Sequence, residues 1–210
     1  MRQIELYNFS FYEFDAPDGL TERILQDVKT NVIFEPNLIN DISKRDKNYF
    51  DEELFDWFDS CLSQVKNKIL IQADIQVPIV GCWVNKTRKL KKLHDHNHPN
   101  SFLSGSFYLT THNNGHTIFY SKNYWLEGWY DRVSMFFDPK AQPLLEAGRY
   151  QPQAGKLIIF PSCLTHGTLV SKDEERYTIA FNTFVEGSFG NPIVSTVNLR
   201  PVTVREQYNK

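Results

Sequence analysis

The chain has 210 residues, enough for one domain with a sizeable core. Its net charge of −2 implies no general attraction to nucleic acid or to an anionic membrane surface. The cysteines Cys61, Cys82 and Cys163 are odd in number and far apart, which argues against a disulfide scaffold and a structural zinc knot. No signal-peptide pattern and no apolar run long enough to span a bilayer are visible, so the expectation is a reducing, soluble compartment.

Residues 4–14, with Ile4, Leu6, Phe9, Phe11 and Phe14, read as an opening strand that Pro17-Asp18-Gly19 ends. Residues 21–31 then read as a short helix with Leu20, Ile24, Leu25 and Val28 on one side. The polar stretch 37–48 reads as irregular. A second helix is predicted from Asp51, because Leu54, Phe55, Phe58, Cys61, Leu62, Val65 and Ile69 recur at three- and four-residue steps. Asp51, Glu52 and Glu53 sit at its start, where the helix dipole favours negative charge.

From Val77 onward the pattern turns to strands, predicted over 77–85, 90–96, 102–110, 117–120, 157–160 and 176–184. His112-Asn113-Asn114-Gly115 signals a hairpin turn and Pro152-Gln153-Ala154-Gly155-Lys156 a further turn. Helices first and many short strands afterwards suggest an antiparallel sandwich or barrel with helices packed outside. The basic run Lys86, Arg88, Lys89, Lys91 and Lys92 reads as a solvated strand or loop. The insert 121–142 is rich in aromatic residues. It either packs as core, the favoured reading, or folds over a site as a substrate lid led by Trp125, Trp129 and Tyr130.

The chemistry concentrates in His94-Asp95-His96-Asn97-His98-Pro99, which holds three of the six histidines. On an extended strand His96 and His98 project to one side together. With His166 from a later strand they supply three imidazoles, a donor set suited to Fe, Zn, Cu or Ni. Farther on, Arg176, Thr178, Ala180 and Asn182 alternate with Tyr177, Ile179 and Phe181. An arginine opening that polar face suits a bidentate carboxylate, and a surface salt bridge is its plain alternative.

The stretches His96-Asn97-His98-Pro99, Ser104-Gly105-Ser106-Phe107-Tyr108-Leu109, Gly155 to Ser162, His166-Gly167, and Arg176 with Phe181-Asn182 together resemble the 2-oxoglutarate- and Fe(II)-dependent oxygenases. The likeness is narrower still to a bacterial and phage subgroup with an HxHP…SGxYYL…FPSxxxH…R…FN pattern. It covers residues 80 to 185, and the order and spacing of the motifs are more specific than any one of them. It implies a mainly β fold with flanking α-helices around a double-stranded β-helix, or jelly roll. It implies Fe(II) held by His96, His98 and His166, with 2-oxoglutarate as cosubstrate. Arg176 would clamp its C5 carboxylate, helped by Thr178, with Tyr108 and Asn85 near it. His96, His98, His166 and Arg176 are then the catalytic set.

The expected reaction is a hydroxylation that consumes O2 and releases succinate and CO2, on a small-molecule or peptidyl substrate in a bacterial cytoplasm or encoded by a phage. Neither a membrane nor nucleic acid is an expected partner. The chain is expected to be one domain, with a support region over 1–75, the jelly-roll core over 76–185 and a C-terminal extension over 186–210. The wider superfamily has HxD or HxE where this chain has HxH. Three readings stay open: a three-histidine site, a carboxylate such as Asp138 from the insert, or a shifted register using His94 and His96. Competing functions are a cupin-like metal protein of the thiol dioxygenase or isomerase type and a catalytically degenerate barrel. The cupin glutamate is missing, since residues 99–110 contain none.

Overall fold

The computed structural model describes residues 1–6, 9–36, 41–44, 47–69, 74–113, 115–121, 145–173, 175–191 and 195–208. The chain opens with β1 (Arg2–Leu6) and β2 (Phe9–Asp15), which pair antiparallel. Two strands therefore stand where the sequence suggests one. Next come α1 (Leu20–Asn31), the short strands β3 (Phe34–Pro36) and β4 (Asp41–Ser43), and α2 (Glu52–Ile69). Asp51 caps α2 by accepting from the Leu54 amide at 2.9 Å. It also accepts from Nη1 and Nη2 of Arg23, each at 2.8 Å, which ties α1 to α2.

The remaining strands are β5 (Ile79–Arg88), β6 (Leu103–Tyr108), β7 (Thr117–Ser121), β8 (Leu145–Tyr150), β9 (Lys156–Pro161), β10 (His166–Thr168), β11 (Glu175–Thr183), β12 (Gly187–Asn191) and β13 (Ser195–Leu199). A short helix, α3 (Val204–Tyr208), follows. One sheet has the order β1-β2-β9-β6-β11-β5-β4-β3, a second β10-β7-β8, and β12-β13 form a ribbon. All pairings within them are antiparallel. The chain crosses from the large sheet to the small one between β6 and β7, and back between β8 and β9 and again between β10 and β11. This alternation is the jelly-roll fold.

Strand alternation divides the large sheet into two faces. Tyr177, Ile179 and Phe181 of β11, Cys82 and Val84 of β5, and Leu157 and Ile159 of β9 turn outward and are buried with the apolar stripes of α1 and α2. Phe58 of α2 is wedged between Phe107 and Phe181, at ring-centroid distances of 5.9 and 4.8 Å. Gly105 lies opposite Phe181 in register, and a Cβ there would fall 2.1 Å from that ring. The inner faces of the two sheets meet through Phe11, Tyr108, Ile158 and Phe160 against Phe119 and Tyr150. The support segment does not stand apart: β1 and β2 extend one edge of the large sheet and β4 and β3 the other.

Several expectations need correction. The strand over 90–96 is absent: Leu90 takes a positive φ of 62° and only an isolated bridge forms, at His96. The Asn-Asn-Gly signal is not a hairpin, because the strands flanking it lie in different sheets, whereas a turn does form at Ala154-Gly155. The polar stretch 37–48 contains β4. The aromatic insert, with Trp125, Trp129, Tyr130 and Asp138, lies outside the described residues. No described helix is long and apolar enough to cross a membrane.

Candidate metal and cosubstrate site

His96 and His98 stand in the irregular connection between β5 and β6, so backbone hydrogen bonds and not strand parity place them. His96 and His166 exchange amide–carbonyl bonds at 2.9 and 2.8 Å. The His98 amide donates to the Ser162 carbonyl at 3.0 Å. His166 itself begins β10, opposite Phe119 of β7. One potential ligand atom from each of His96, His98 and His166 lies within 4.8 Å of the others. His94 and Asp95 are not part of this group. The Asp95 carboxylate instead fills the space that a side chain at Gly167 would occupy.

Two of the three rings are turned by local carbonyls. Nδ1 of His96 meets the His94 carbonyl at 2.8 Å, and Nδ1 of His166 meets the Leu164 carbonyl at 2.9 Å. A ring that donates from Nδ1 keeps an unprotonated Nε2 for a metal. Burial lowers all three imidazoles below the usual histidine range, His98 to about 4 and His166 to about 3. They are therefore neutral at physiological pH, the form that binds metal.

The same cavity, about 250 Å³ in volume, is lined by these histidines together with Arg176, Thr178, Tyr108 and Asn85. Thr178 is in register with Asn85 on one side and Tyr108 on the other, which carries the polar face across three adjacent strands. Arg176 is 2% exposed and has no ion-pair partner among the described residues. Its Nη1 donates to the Gly115 carbonyl at 3.4 Å, while its Nε is buried without a partner. A buried guanidinium left in this state is costly unless an anion meets it. Burial lowers its pKa, opposed by the charge of Asp173 and by Tyr108. The Tyr108 hydroxyl bonds Thr117 at 2.9 Å, and burial raises its pKa.

The structure adds residues that sequence reasoning missed. Trp83, Thr87, His112 and Thr117 also line the cavity. Trp83 and Thr87 were detectable from their parity with Asn85 on β5. His112 reads in sequence only as part of a turn.

The fold is the one found in 2-oxoglutarate- and Fe(II)-dependent oxygenases. Residues 81–182 match the family described as "Putative 2OG-Fe(II) oxygenase". No curated protein matches in sequence. Among solved structures, the chain is similar to an oxidoreductase of the 2OG-Fe(II) oxygenase family from Burkholderia pseudomallei, with a TM-score of 0.56 and 12% identity over 83% of this chain and 84% of that one. It is similar also to a Pseudomonas putida prolyl-4-hydroxylase, with a TM-score of 0.53 and 14% identity over 84% and 94% of the two chains. HygX from Streptomyces hygroscopicus, solved with nickel and 2-oxoglutarate bound, gives a TM-score of 0.56 and 12% identity over 83% and 82%.

Proposed function

We propose that His96, His98 and His166 hold Fe(II), and that Arg176, with Thr178, Tyr108 and Asn85, receives 2-oxoglutarate beside it. The observation that carries this assignment is the buried Arg176, which has no carboxylate partner among the described residues and faces the cavity bearing three convergent neutral imidazoles. The donor set fits a divalent first-row metal, and the guanidinium fits the distal carboxylate of a 2-oxo dicarboxylic acid.

Iron with bound cosubstrate supplies oxidation, in which 2-oxoglutarate, O2 and a C–H bond give succinate, CO2 and an alcohol. The protein's residues fix geometry and charge. The bridge between His96 and His166 holds two donors across the mouth of the sandwich. Arg176 neutralises the distal carboxylate and so orients the 2-oxo acid end toward the histidines. Phe119 and Phe160 pack on His166, and Trp83 on His98, restricting water on that side. The substrate is a small molecule or a peptide side chain. Three free cysteines, with Cys163 exposed, agree with a reducing cytoplasm.

Anaerobic addition of Fe(II) and 2-oxoglutarate should produce a visible charge-transfer band, and oxygen should then release succinate. Arg176→Ala should weaken cosubstrate binding by ~10- to 100-fold, since a charge-assisted pair contributes roughly 1.5–3 kcal/mol. Neither band nor succinate from the wild-type protein would overturn the assignment.

A further inference from the structure

The turn that leaves β6 carries a second buried group with no partner. His112 is 3% exposed, yet neither ring nitrogen meets a hydrogen-bonding group among the described residues. Its backbone is fixed on both sides: the amide donates to the Pro152 carbonyl at 3.1 Å, and its own carbonyl accepts from the Gln151 side chain. The ring stands edge-on to Tyr108, with centroids 5.4 Å apart and planes at 89°. It lines the same cavity as Arg176.

Gly115 of the same turn lies against the arginine. A Cβ at Gly115 would fall 1.9 Å from Arg176 Nη1, so the backbone there lies directly against the guanidinium. Asn113 is tethered in turn, its amide donating to Asp173 at 3.1 Å and its side chain at 3.3 Å. His112 and Arg176 thus meet at one turn and one cavity, each with buried polar atoms unmet among the described residues.

What could satisfy both is constrained by their chemistry. Arg176 offers donors only. Burial and the nearby Arg176 charge push the His112 imidazole down to about 3, so it is neutral and offers one N–H and one lone pair. One positive charge and an added neutral donor match a single carboxylate better than a phosphate, which carries more charge. We propose that His112 is a cosubstrate-selecting residue, donating its ring N–H to the same distal carboxylate that Arg176 pairs with. The pocket then prefers a 2-oxo acid with a second carboxylate over one of equal length ending in a methyl group. This inference rests on the reading of the cavity as the 2-oxoglutarate site.

The test is anaerobic calorimetry on the Zn(II)-loaded protein with 2-oxoglutarate and with 2-oxopentanoate, which replaces the distal carboxylate by a methyl. His112→Phe should weaken 2-oxoglutarate by ~10- to 100-fold, the usual worth of a hydrogen bond to a charged group, and leave 2-oxopentanoate within about 3-fold. His112→Gln, which restores a neutral donor, should recover most of the lost discrimination. On the wild-type protein carrying ¹⁵N-labelled histidine, 2-oxoglutarate should shift the His112 ring nitrogens and 2-oxopentanoate should not, a measurement that requires no variant to fold. Equal weakening of both acids, or identical ring shifts with both, overturns the role of His112 alone. A wild-type protein that binds neither acid overturns the oxygenase site itself and the inference with it.

Discussion

In the proposed ligand set His98 takes the place of a carboxylate, and its surroundings differ from those of the other two histidines. Among the described residues no backbone carbonyl bonds its ring. Its Nδ1 faces the Asn182 side-chain amide at 3.4 Å, and Asn182 is held by the Ser104 hydroxyl at 2.8 Å. Behind Ser104 the hydroxyls of Ser162 and Ser101 continue the chain at 2.8 and 2.7 Å, and either partner of each pair can donate. A metal on Nε2 requires a proton on Nδ1 and hence an acceptor there. A half-turn of the Asn182 amide supplies that acceptor, and the serine chain reverses direction to match. His98→Ala should therefore abolish metal binding, whereas Asn182→Ala should lower affinity by ~10-fold or more, as removal of an outer partner of a ligand does. A Co(II) titration reads both, and wild-type affinity in His98→Ala would move the third ligand to a carboxylate elsewhere. The histidine cluster was legible in sequence because HxH with a later His is rare by chance. The reason offered for it, strand parity, does not hold, since the segment is a loop held by His166 and Ser162. His112 was not legible, because its Asn-Asn-Gly neighbours announce only a turn.

At the scale of elements, β11 does two jobs through alternation, feeding the helix-packed core with Tyr177, Ile179 and Phe181 and the cavity with Arg176, Thr178 and Ala180. That division was visible in the sequence, as were both long helices, because period 2 and period 3.6 survive wherever one face is buried. Strands as short as β10 carry too few residues to show a period, and β8 reads weakly for its Gly and charged residues. Sheet membership depends on contacts far apart in the chain, so local turn signals could not reveal that β6 and β7 belong to different sheets. The join between α1 and α2 is testable in isolation from the site. The hydrogen bonds from Arg23 hold the Asp51 carboxyl below its ordinary value despite partial burial, and the Leu54 amide adds to this. A depressed folded value means the unfolded chain takes up the proton first as acid is added. The contribution is thus complete above the unfolded carboxylate range, about 3.9, and is lost as pH falls through the folded value. Asp51→Asn, which can still cap α2, should lower stability near neutral pH by about 1 kcal/mol or less through loss of the ion pair with Arg23, and flatten the acid limb of the stability curve. Denaturant melts between pH 7 and pH 3 measure this, and parallel curves for variant and wild type would disprove it.

For the whole molecule, the site is a junction between distant parts of the chain. His96 and His98 come from the connection after β5, His166 from β10 in the small sheet and Arg176 from β11 in the large one. A metal bound to the three histidines would cross-link the two sheets, and a dicarboxylate bound to Arg176 would satisfy a buried cation that otherwise weakens the fold. Each ligand binds the folded state alone and must stabilise it by mass action, by about 2.7 kcal/mol at a hundredfold excess over Kd. For a chain of this size that raises Tm by on the order of 5–10 °C. The two increments should be ordered: a divalent metal raises Tm by itself, 2-oxoglutarate adds a further rise only with metal present, and a chelator removes both. Arg176→Ala should keep the metal increment and lose that of 2-oxoglutarate, while His98→Ala should lose both. A full 2-oxoglutarate shift in chelator-treated protein would instead mean that the acid binds without the histidines, and would separate the carboxylate pocket from the metal site.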